Sequence, residues 1–295
     1  MERKKAMKKG YPQKHLFRYL PIAASLFLLV VWTLWGNTAL MVNTITVSGN
    51  QIPLEFSGFR IAQISDLHNA EFGEKNARLL NILSEKKPDI IVITGDLVDA
   101  RHTDVSIALS FAEEAVQIAP VYYVTGNHEA SLSQYGELKT GLESAGVIVL
   151  EDKAVQLERS GSFITLIGLS DPNFAIRSNI FNEVPAMIST KLNDLTKDET
   201  SYTVLLSHRP ELFTTYVSCG VDLVLSGHAH GGQFRLPLIG GLVAPNQGFF
   251  PKYDAGLYAE GRTNMIVSRG IGNSIIPLRF NNRPEIVLVE LIADL

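Results

Sequence analysis

From about residue 55 onward, short apolar runs alternate with longer amphipathic stretches. Eight runs rich in β-branched residues predict strands, and several are apolar throughout, as strands buried on both faces are. They are FRIAQIS (59–65), DIIVITG (89–95), VYYVTG (121–126), FITLIGL (163–169), YTVLLS (202–207), VDLVLSG (221–227), MIVSRG (265–270) and EIVLVEL (285–291). Residues 76–86 and 105–118 repeat apolar positions at intervals of three and four, which predicts crossover helices. This alternation indicates one α/β domain over residues 55–295.

The first apolar run is of another kind, because residues 20–42 contain no charged side chain. As a helix this run would rise about 35 Å, enough to cross a hydrocarbon core of about 30 Å. Residues 1–19 carry seven basic side chains and one acidic one. The positive-inside rule therefore predicts a basic cytoplasmic tail over 1–19, a transmembrane signal-anchor over 20–42, and an extracytoplasmic domain on a single-pass protein of the cell membrane. Residues 43–54 are then a linker and first strand.

Two other interpretations of this run remain open. A cleaved signal peptide shares its basic start and apolar stretch, although no A-x-A site follows and the run is long for a signal peptide. A buried core helix is the second alternative, and the lack of a polar face disfavours it. The missing cleavage site and the length of the run disfavour a signal peptide, and the missing polar face disfavours a core helix. The uncleaved anchor is therefore favoured.

Composition narrows the classes of partner. The net charge is −4, but the tail carries +6, so the rest of the chain carries −10 and nucleic-acid binding is not expected. The single cysteine, Cys219, excludes an intrachain disulfide, and its apolar setting indicates the core. Residues 171–200 are polar and predict a loop with a short helix. The apolar segment LPLIGGLVAP (236–245) either packs in the core or forms an exposed rim near the bilayer.

Residue types that bind metals or transfer protons follow directly after five of the predicted strands. They are Asp66, His68, Asp96, Asp99, Asn127, His128, His208, His228 and His230. Each motif alone is typical of a turn or a helix cap. Because the carboxyl ends of strands line the ligand crevice of an open α/β sheet, all five segments are expected to meet at one edge. Glycines 95, 126 and 227 each precede one of these residues and permit close approach of the backbone.

Mixed Asp, Asn and His donors suit divalent manganese, iron, zinc or magnesium, and the lack of cysteine argues against a structural zinc site. Seven ligand candidates are too many for one ion and suit two. Paired ions are a common means of hydrolysing phosphate esters.

The order Asp-x-His, Gly-Asp-x-x-Asp, Gly-Asn-His-Glu, His, Gly-His-x-His resembles the calcineurin-like metallophosphoesterase superfamily, from about residue 50 to the end. The stretches SGHAHGGQFRLPLIGG and VSRGIGNSIIPLRFNNRPEI resemble its bacterial membrane-associated branch, often called YkuE-like or YaeI-like. The resemblance implies a four-layer α/β/β/α sandwich with two divalent ions at the strand ends.

The resemblance also implies a role for each residue. Asp66, His68 and His230 would bind one ion, Asn127, His208 and His228 the second, and Asp96 would bridge them. A metal-bridging hydroxide would be the nucleophile. His128 would donate to the phosphate or protonate the leaving oxygen, with Asp99 hydrogen-bonded to it. Glu129 replaces the more usual Asp, and its expected role is structural.

Members of the superfamily include phosphodiesterases and a hydrolase of UDP-2,3-diacylglucosamine. Together with the anchor, this favours a lipid-linked or nucleotide phosphoester as the substrate. Two other functions remain open: another metallohydrolase such as an amidohydrolase, which also uses His-x-His, and a metal-free binding protein of the same fold.

Overall fold

The computed structural model describes residues 13–175, 183–197, 200–273 and 276–294. Residues 1–12 of the predicted tail, and parts of the predicted loop in 171–200, lie outside the described residues. The helices are α1 (Gln13–Thr38), α2 (Ala77–Lys86), α3 (Val105–Ala115), α4 (Asn127–Ala130), α5 (Tyr135–Ala145), α6 (Val184–Thr196) and α7 (Phe213–Ser218). The strands are β1 (Met41–Gly49), β2 (Phe59–Ile64), β3 (Ile90–Thr94), β4 (Val121–Val124), β5 (Ile148–Val149), β6 (Lys153–Arg159), β7 (Ser162–Gly168), β8 (Tyr202–Leu206), β9 (Leu223–Ser226), β10 (Arg235–Leu236), β11 (Gly240–Gly241), β12 (Val243–Ala244), β13 (Gly248–Phe249), β14 (Gly256–Glu260), β15 (Thr263–Val267) and β16 (Glu285–Ala293).

Twelve of these strands form two six-stranded sheets. The first sheet has the order β1-β16-β2-β3-β4-β5 and the second β14-β15-β9-β8-β7-β6. In the first, β2 to β5 run parallel and β16 runs antiparallel to β2. In the second, β15, β9, β8 and β7 run parallel, and antiparallel strands β14 and β6 close the two edges. The parallel strands of each sheet therefore end at a common edge.

Three buried apolar clusters explain how the layers stack. The inner faces of both sheets share one cluster, in which Val92 of β3 and Leu206 of β8 take part. A second cluster, which includes Phe111 of α3, joins helices α2, α3 and α5 to the outer face of the first sheet. A third, which includes Leu192 of α6 and Tyr216 of α7, covers the second sheet. The predicted four-layer α/β/β/α sandwich is confirmed.

The eight predicted strands are all present, with ends shifted by no more than three residues, and both crossover helices are present. The pattern missed β6 and β14, because edge strands are solvated and β6 buries only Leu157. It also missed α5, where Leu138 and Leu142 are the buried residues. The helix expected to be short in 171–200 is α6, with 13 residues. Weakly apolar elements gave too little periodicity to detect.

The N-terminal helix differs from the prediction at both ends, since α1 already begins at Gln13, within the predicted tail. It stops at Thr38, and β1 begins at Met41, so the last residues of the predicted span belong to the sheet domain. The stretch Tyr19–Thr38 is long and apolar enough to cross a membrane, by length and composition, and its most apolar window is not buried. The core-helix alternative is therefore wrong.

Two other segments can now be placed. Cys219, expected in the core, is half-buried at its edge, with its Sγ atom 3.5 Å from Ser189 Oγ. The segment 236–245 divides between its two predicted states. Leu238 and Ile239 are exposed, whereas Ala244 is buried.

Candidate metal centre

The predicted ligands lie at the carboxyl ends of five parallel strands, where the two sheets meet. Strands β2, β3 and β4 of the first sheet are each followed by donors of this set, as are β8 and β9 of the second sheet. The seven predicted ligands are Asp66, His68, Asp96, Asn127, His208, His228 and His230. Each of the two sheets therefore contributes part of one site.

The backbone at these strand ends is unusual. Five of the seven predicted ligands have a left-handed backbone, with φ between 46° and 66°. They are Asp66, His68, Asp96, His228 and His230. Non-glycine residues adopt this region rarely, at a cost of roughly 1 to 3 kcal/mol each, and such residues concentrate at functional sites. The abrupt turn directs each side chain into the space between the strand ends.

The first group of donors consists of Asp66, His68, Asp96 and His230, all buried, with donor atoms within 4.8 Å of one another. The His230 Nε2 atom lies 3.3 Å from Asp66 Oδ1 and 3.2 Å from His68 Nε2. His68 Nε2 lies 3.6 Å from Asp96 Oδ2. These donors converge on one point.

The second group shares Asp96 with the first and adds His208 and His228. The Asp96 Oδ2 atom lies 3.2 Å from His208 Nε2, which is 3.1 Å from His228 Nδ1. Asn127 Oδ1 is buried, and in the part of the chain that the structure describes it has no hydrogen-bond partner. An unpaired buried carbonyl oxygen is costly, and a cation at this place would satisfy it. One carboxylate thus serves two groups of donors.

Surrounding groups fix the orientation of the donors. The other ring nitrogen of His208, Nδ1, lies 2.8 Å from the carbonyl oxygen of Thr94. The backbone N–H of His228 donates to the Asp66 carboxylate. Glu129 is buried and accepts four backbone N–H groups, those of Asp96, Leu97, Val98 and Gly126. The structural role expected for Glu129 is therefore confirmed, since it holds the turn after β3 against the start of α4.

Glycine 227 has a steric role here. A Cβ atom at this position would collide with Ser65 Oγ and lie 2.5 Å from Asp66 Oδ2. Because both neighbours are buried in the site, neither has room to move away. The predicted close approach of the backbone is present at this position.

Burial dominates the electrostatics of the site. It lowers the pKa of His68 to about 4 and holds the pKa of His228 and of His230 well below the usual imidazole value. Burial also raises the pKa of Asp66 to about 6. His208 differs, because burial opposes its protonation but the Asp96 carboxylate raises its pKa to about 10. Three of the four imidazoles are therefore neutral, and His208 carries a proton beside the Asp96 carboxylate. A divalent cation would displace that proton and neutralise the buried carboxylates.

His128 and Asp99 lie beside the first donor group. The two rings of His128 and His68 meet edge to face at 4.5 Å between centroids. His128 Nδ1 accepts a hydrogen bond from the backbone N–H of Ala100 at 3.1 Å, so the proton of the neutral ring resides on Nε2. Asp99 Oδ1 is 3.4 Å from the same Nδ1 atom, while its carboxylate pairs with Arg101. The tautomer of His128 is thus set by Ala100, rather than by the hydrogen bond predicted from Asp99.

Three residues near the second donor group were not predicted. Arg209 is buried, pairs with Asp171, and its Nη1 atom lies 3.1 Å from His228 Nε2. Asn246 Nδ2 lies 3.2 Å from the same nitrogen. The position of Arg209 directly after His208 was a signal in the sequence, but its contact across the sheet required the tertiary structure.

Comparison with known proteins identifies the class. The family model described as calcineurin-like phosphoesterase matches residues 59–232. The YkuE protein of Bacillus subtilis, named an uncharacterised metallophosphoesterase, is 30% identical over 253 residues, which cover 83% of this chain and 83% of its own. The Escherichia coli protein YaeI, named a phosphodiesterase, is 30% identical over 79% of this chain and 82% of its own.

Two further likenesses bear on the anchor and the fold. A Danio rerio protein named a transmembrane protein with metallophosphoesterase domain is 32% identical over 82% of this chain and 55% of its own length. The crystal structure of TT1561 from Thermus thermophilus matches 72% of this chain and 89% of its own with a TM-score of 0.50 and 12% identity. The second likeness concerns the fold alone.

The fold and the paired donor groups define a metal-dependent hydrolase of phosphoester bonds, and the chain belongs to the calcineurin-like phosphoesterase family. Within it, the chain falls in the branch of YkuE and YaeI. The family uses a dinuclear divalent metal centre. The amidohydrolase alternative is therefore wrong.

Proposed function

We propose that the protein is a membrane-anchored phosphoesterase that holds two divalent ions and hydrolyses a lipid-linked phosphomonoester, phosphodiester or pyrophosphate. The observation that carries this proposal is the position of Asp96. Its Oδ2 atom lies within 3.6 Å of His68 in one donor group and within 3.2 Å of His208 in the other. A carboxylate shared in this way can bridge two cations.

The distances support one ligand set for each ion. Asp66, His68 and His230 would bind the first ion, and Asn127, His208 and His228 would bind the second, with Asp96 between them. Imidazole, carboxylate and amide donors suit manganese, iron or zinc, and magnesium less well. When bound, the two ions would polarise the phosphate and lower the pKa of a bound water.

His128 is proposed as the residue that acts on the leaving group. Its Nδ1 atom is occupied by the Ala100 N–H, which leaves Nε2–H free to donate. That proton can be donated to a phosphate oxygen or to the departing oxygen atom. The Asp99 Oδ1 atom lies 3.4 Å from His128 Nδ1 and places a negative charge beside the ring. Burial raises the pKa of Asp99, but the hydrogen bonds from Arg101 outweigh this effect and lower it to about 2. Asp99 would therefore act on the ring through its charge, whereas the Ala100 N–H sets the tautomer of the ring.

Membrane attachment follows from the character of α1. The stretch Tyr19–Thr38 is apolar and solvent-exposed, so in water it would present a large apolar surface. A bilayer would cover it, with the basic tail in the cytoplasm and the domain outside.

An exposed apolar rim near the donors supports a lipid-linked substrate. The rim consists of Leu236, Leu238, Ile239, Phe249, Phe250, Ile276 and Leu278. It belongs to the hairpins that directly follow His230 and to the segment before Phe280, whose ring meets Trp32 of α1 at 5.3 Å. Asn246, from the same hairpins, reaches His228. The rim thus links the anchor side of the domain to the metal centre, where a substrate with an acyl chain would find apolar contact.

One experiment tests the reaction and the substrate class together. Purified full-length protein is analysed for bound metal and assayed with manganese on soluble phosphomonoesters, soluble diesters and lipid-linked pyrophosphates. We expect about two ions per chain and the highest kcat/KM on a lipid-linked substrate. The variant Asp96→Asn is analysed in the same way. Its control is Asp194→Asn, which changes an exposed carboxylate on α6.

The possible failures are distinct. Absence of tightly held metal together with absence of manganese-dependent hydrolysis would favour the metal-free binding protein. Rapid hydrolysis of soluble diesters with no activity on any lipid-linked substrate would contradict the substrate proposal alone. Release of the protein from membranes by an alkaline wash would contradict the anchor alone.

A further inference from the structure

A second cavity lies where α1 joins the domain. Its volume is about 160 Å³, and it is lined in part by Trp32 and Trp35 of α1 and by Arg269, Arg279 and Arg283 of the domain. None of its ten described lining residues is acidic. A water molecule occupies about 30 Å³ in the liquid, so the cavity has room for several waters and therefore for a phosphate group.

The cavity has a fixed position relative to α1. The side chain of Asn37, one residue before the end of the helix, exchanges two hydrogen bonds with the backbone of Arg279, at 2.8 and 2.7 Å. Arg283 stacks its guanidinium on Trp35 at 4.7 Å from the ring centroid and donates to the carbonyl oxygens of Ala39 and Leu40. The end of the helix is therefore docked on the domain.

The three guanidinium groups are incompletely neutralised. Arg279 is buried and donates to the carbonyl oxygens of Arg269 and Gly272 and to the amide oxygen of Asn273, which are uncharged acceptors, and its Nη2 atom lies 3.4 Å from His230 Nδ1. The Nε atom of Arg269 is buried without a hydrogen bond among the described residues, and the nearest carboxylate, Glu285, is 3.8 Å from it. The lining of the cavity thus carries three cations and no carboxylate, and the carboxylates that act on Arg269 and Arg279, those of Glu285, Asp66 and Asp254, lie behind it.

The level of the cavity along α1 indicates where its ligand comes from. Trp32 and Trp35 lie at the end of the apolar helix farthest from the basic tail, and tryptophan rings prefer the interface between acyl chains and headgroups. Arginine binds phosphate with directed hydrogen bonds, and lipid phosphates lie at the same level. A zwitterionic headgroup would add a cation to a cavity already rich in positive charge.

We propose that this cavity binds the phosphate of an anionic phospholipid headgroup and so fixes the domain against the membrane. The proposal rests on the membrane position of α1, which is itself proposed, but not on phosphoester hydrolysis. Bound lipid would hold the rim and the metal centre at a constant height above the bilayer.

Thermal unfolding of the full-length protein in a neutral detergent tests the proposal. Short-chain phosphatidylglycerol, short-chain phosphatidylcholine and inorganic phosphate are added in separate series. We expect phosphatidylglycerol to raise the Tm and the other two to raise it less, because a ligand stabilises the state that binds it. Equal shifts with phosphatidylglycerol and phosphatidylcholine would overturn the proposal, and an equal shift with inorganic phosphate would assign the cavity to a free anion instead.

Variants locate the effect in the cavity. Arg269→Gln should weaken phosphatidylglycerol binding by about tenfold or more, the usual loss for one charge-assisted hydrogen bond, whereas Arg269→Lys should retain most of it. Arg60→Gln, an exposed arginine at the start of β2, is the matched control and should leave binding unchanged. Ligand that binds at the metal centre would stabilise all variants alike. Undiminished selectivity in a folded Arg269→Gln protein would also overturn the proposal, and the wild-type comparison stands if that variant does not fold.

Discussion

Replacement of His128 by alanine removes the proposed proton donor while leaving both donor groups in place. Although the side chain is only 12% exposed, its hydrogen bonding to the fold is limited, since among the described residues its Nδ1 atom accepts one backbone N–H, that of Ala100. The proton on Nε2 is the part of the residue that the reaction would use. The variant should therefore bind metal normally and turn over slowly.

The expected loss can be estimated from the role of this proton. General acid catalysis contributes roughly a hundredfold to ten-thousandfold, so the barrier should rise by about 2.7 kcal/mol or more. The loss should depend on the leaving group. A nitrophenolate departs without protonation and should be affected least, whereas an alkoxide needs the proton and should be affected most.

The assay compares kcat on a nitrophenyl diester and an alkyl diester, with metal content measured on the same preparation. His102→Ala is the matched control, since His102 is exposed in the loop after Asp99. Its hydrogen bonds with Asp99 and Asn69 are made by its backbone, which the substitution keeps. It should keep both activities.

Two results would refute this reasoning. His128 also forms a group with His68 and Asp99 whose donor atoms lie within 4.8 Å of one another, so this ring could itself be a ligand. Loss of an ion in His128→Ala would show that it is one. An equal loss on both leaving groups would show that His128 binds the phosphate without protonating the leaving oxygen.

Three further changes test other parts of the site. Asp96→Asn should lose metal and activity together, because one carboxylate serves both donor groups, and a metal-loaded, active variant would contradict this. Metal affinity should rise about tenfold per pH unit from about pH 7 to about pH 10, because the raised pKa of His208 keeps its ring protonated up to about pH 10 and each binding event must displace this proton. A lower pH therefore weakens binding. Calorimetry in buffers of different ionisation enthalpy should detect about one released proton, and none if His208 is not a ligand. Gly227→Ala should lower the free energy of unfolding by about 1 to 3 kcal/mol, because the added Cβ atom would collide with Ser65. The control is Gly136→Ala, which has open space around it and should not lower this free energy. Equal urea midpoints for the two variants would disprove the steric argument.

The sequence was most informative where strong local patterns occur. The run DIIVITG holds four consecutive apolar residues, and the strand β3 that it forms is buried at all five positions. The order of the motifs predicted which residues meet, and the structure brings all seven predicted ligands to one edge. Solvated elements such as β6 were missed, because a strand with one buried residue has almost no apolar signal.

The contacts around the predicted site were much harder to anticipate. Arg209 beside His228 and the four N–H groups on Glu129 depend on turns whose geometry no periodicity encodes. The hydrogen bond from Ala100 to His128 is of the same kind and changed the role expected of Asp99. The left-handed backbone conformation of ligands such as Asp66 was equally unpredictable, since only tertiary contacts hold a non-glycine residue in that conformation.

The sequence by itself determined the strands, the apolar helix and the residue types of the metal centre, because burial periodicity and donor chemistry are local properties. Only the tertiary structure decided how those residues meet. The backbone N–H of His228 donates to Asp66, 162 positions earlier in the chain and in the other sheet. A contact of this kind exists because two sheets pack face to face, and it follows from the packing of the whole inner core rather than from any one segment of the chain.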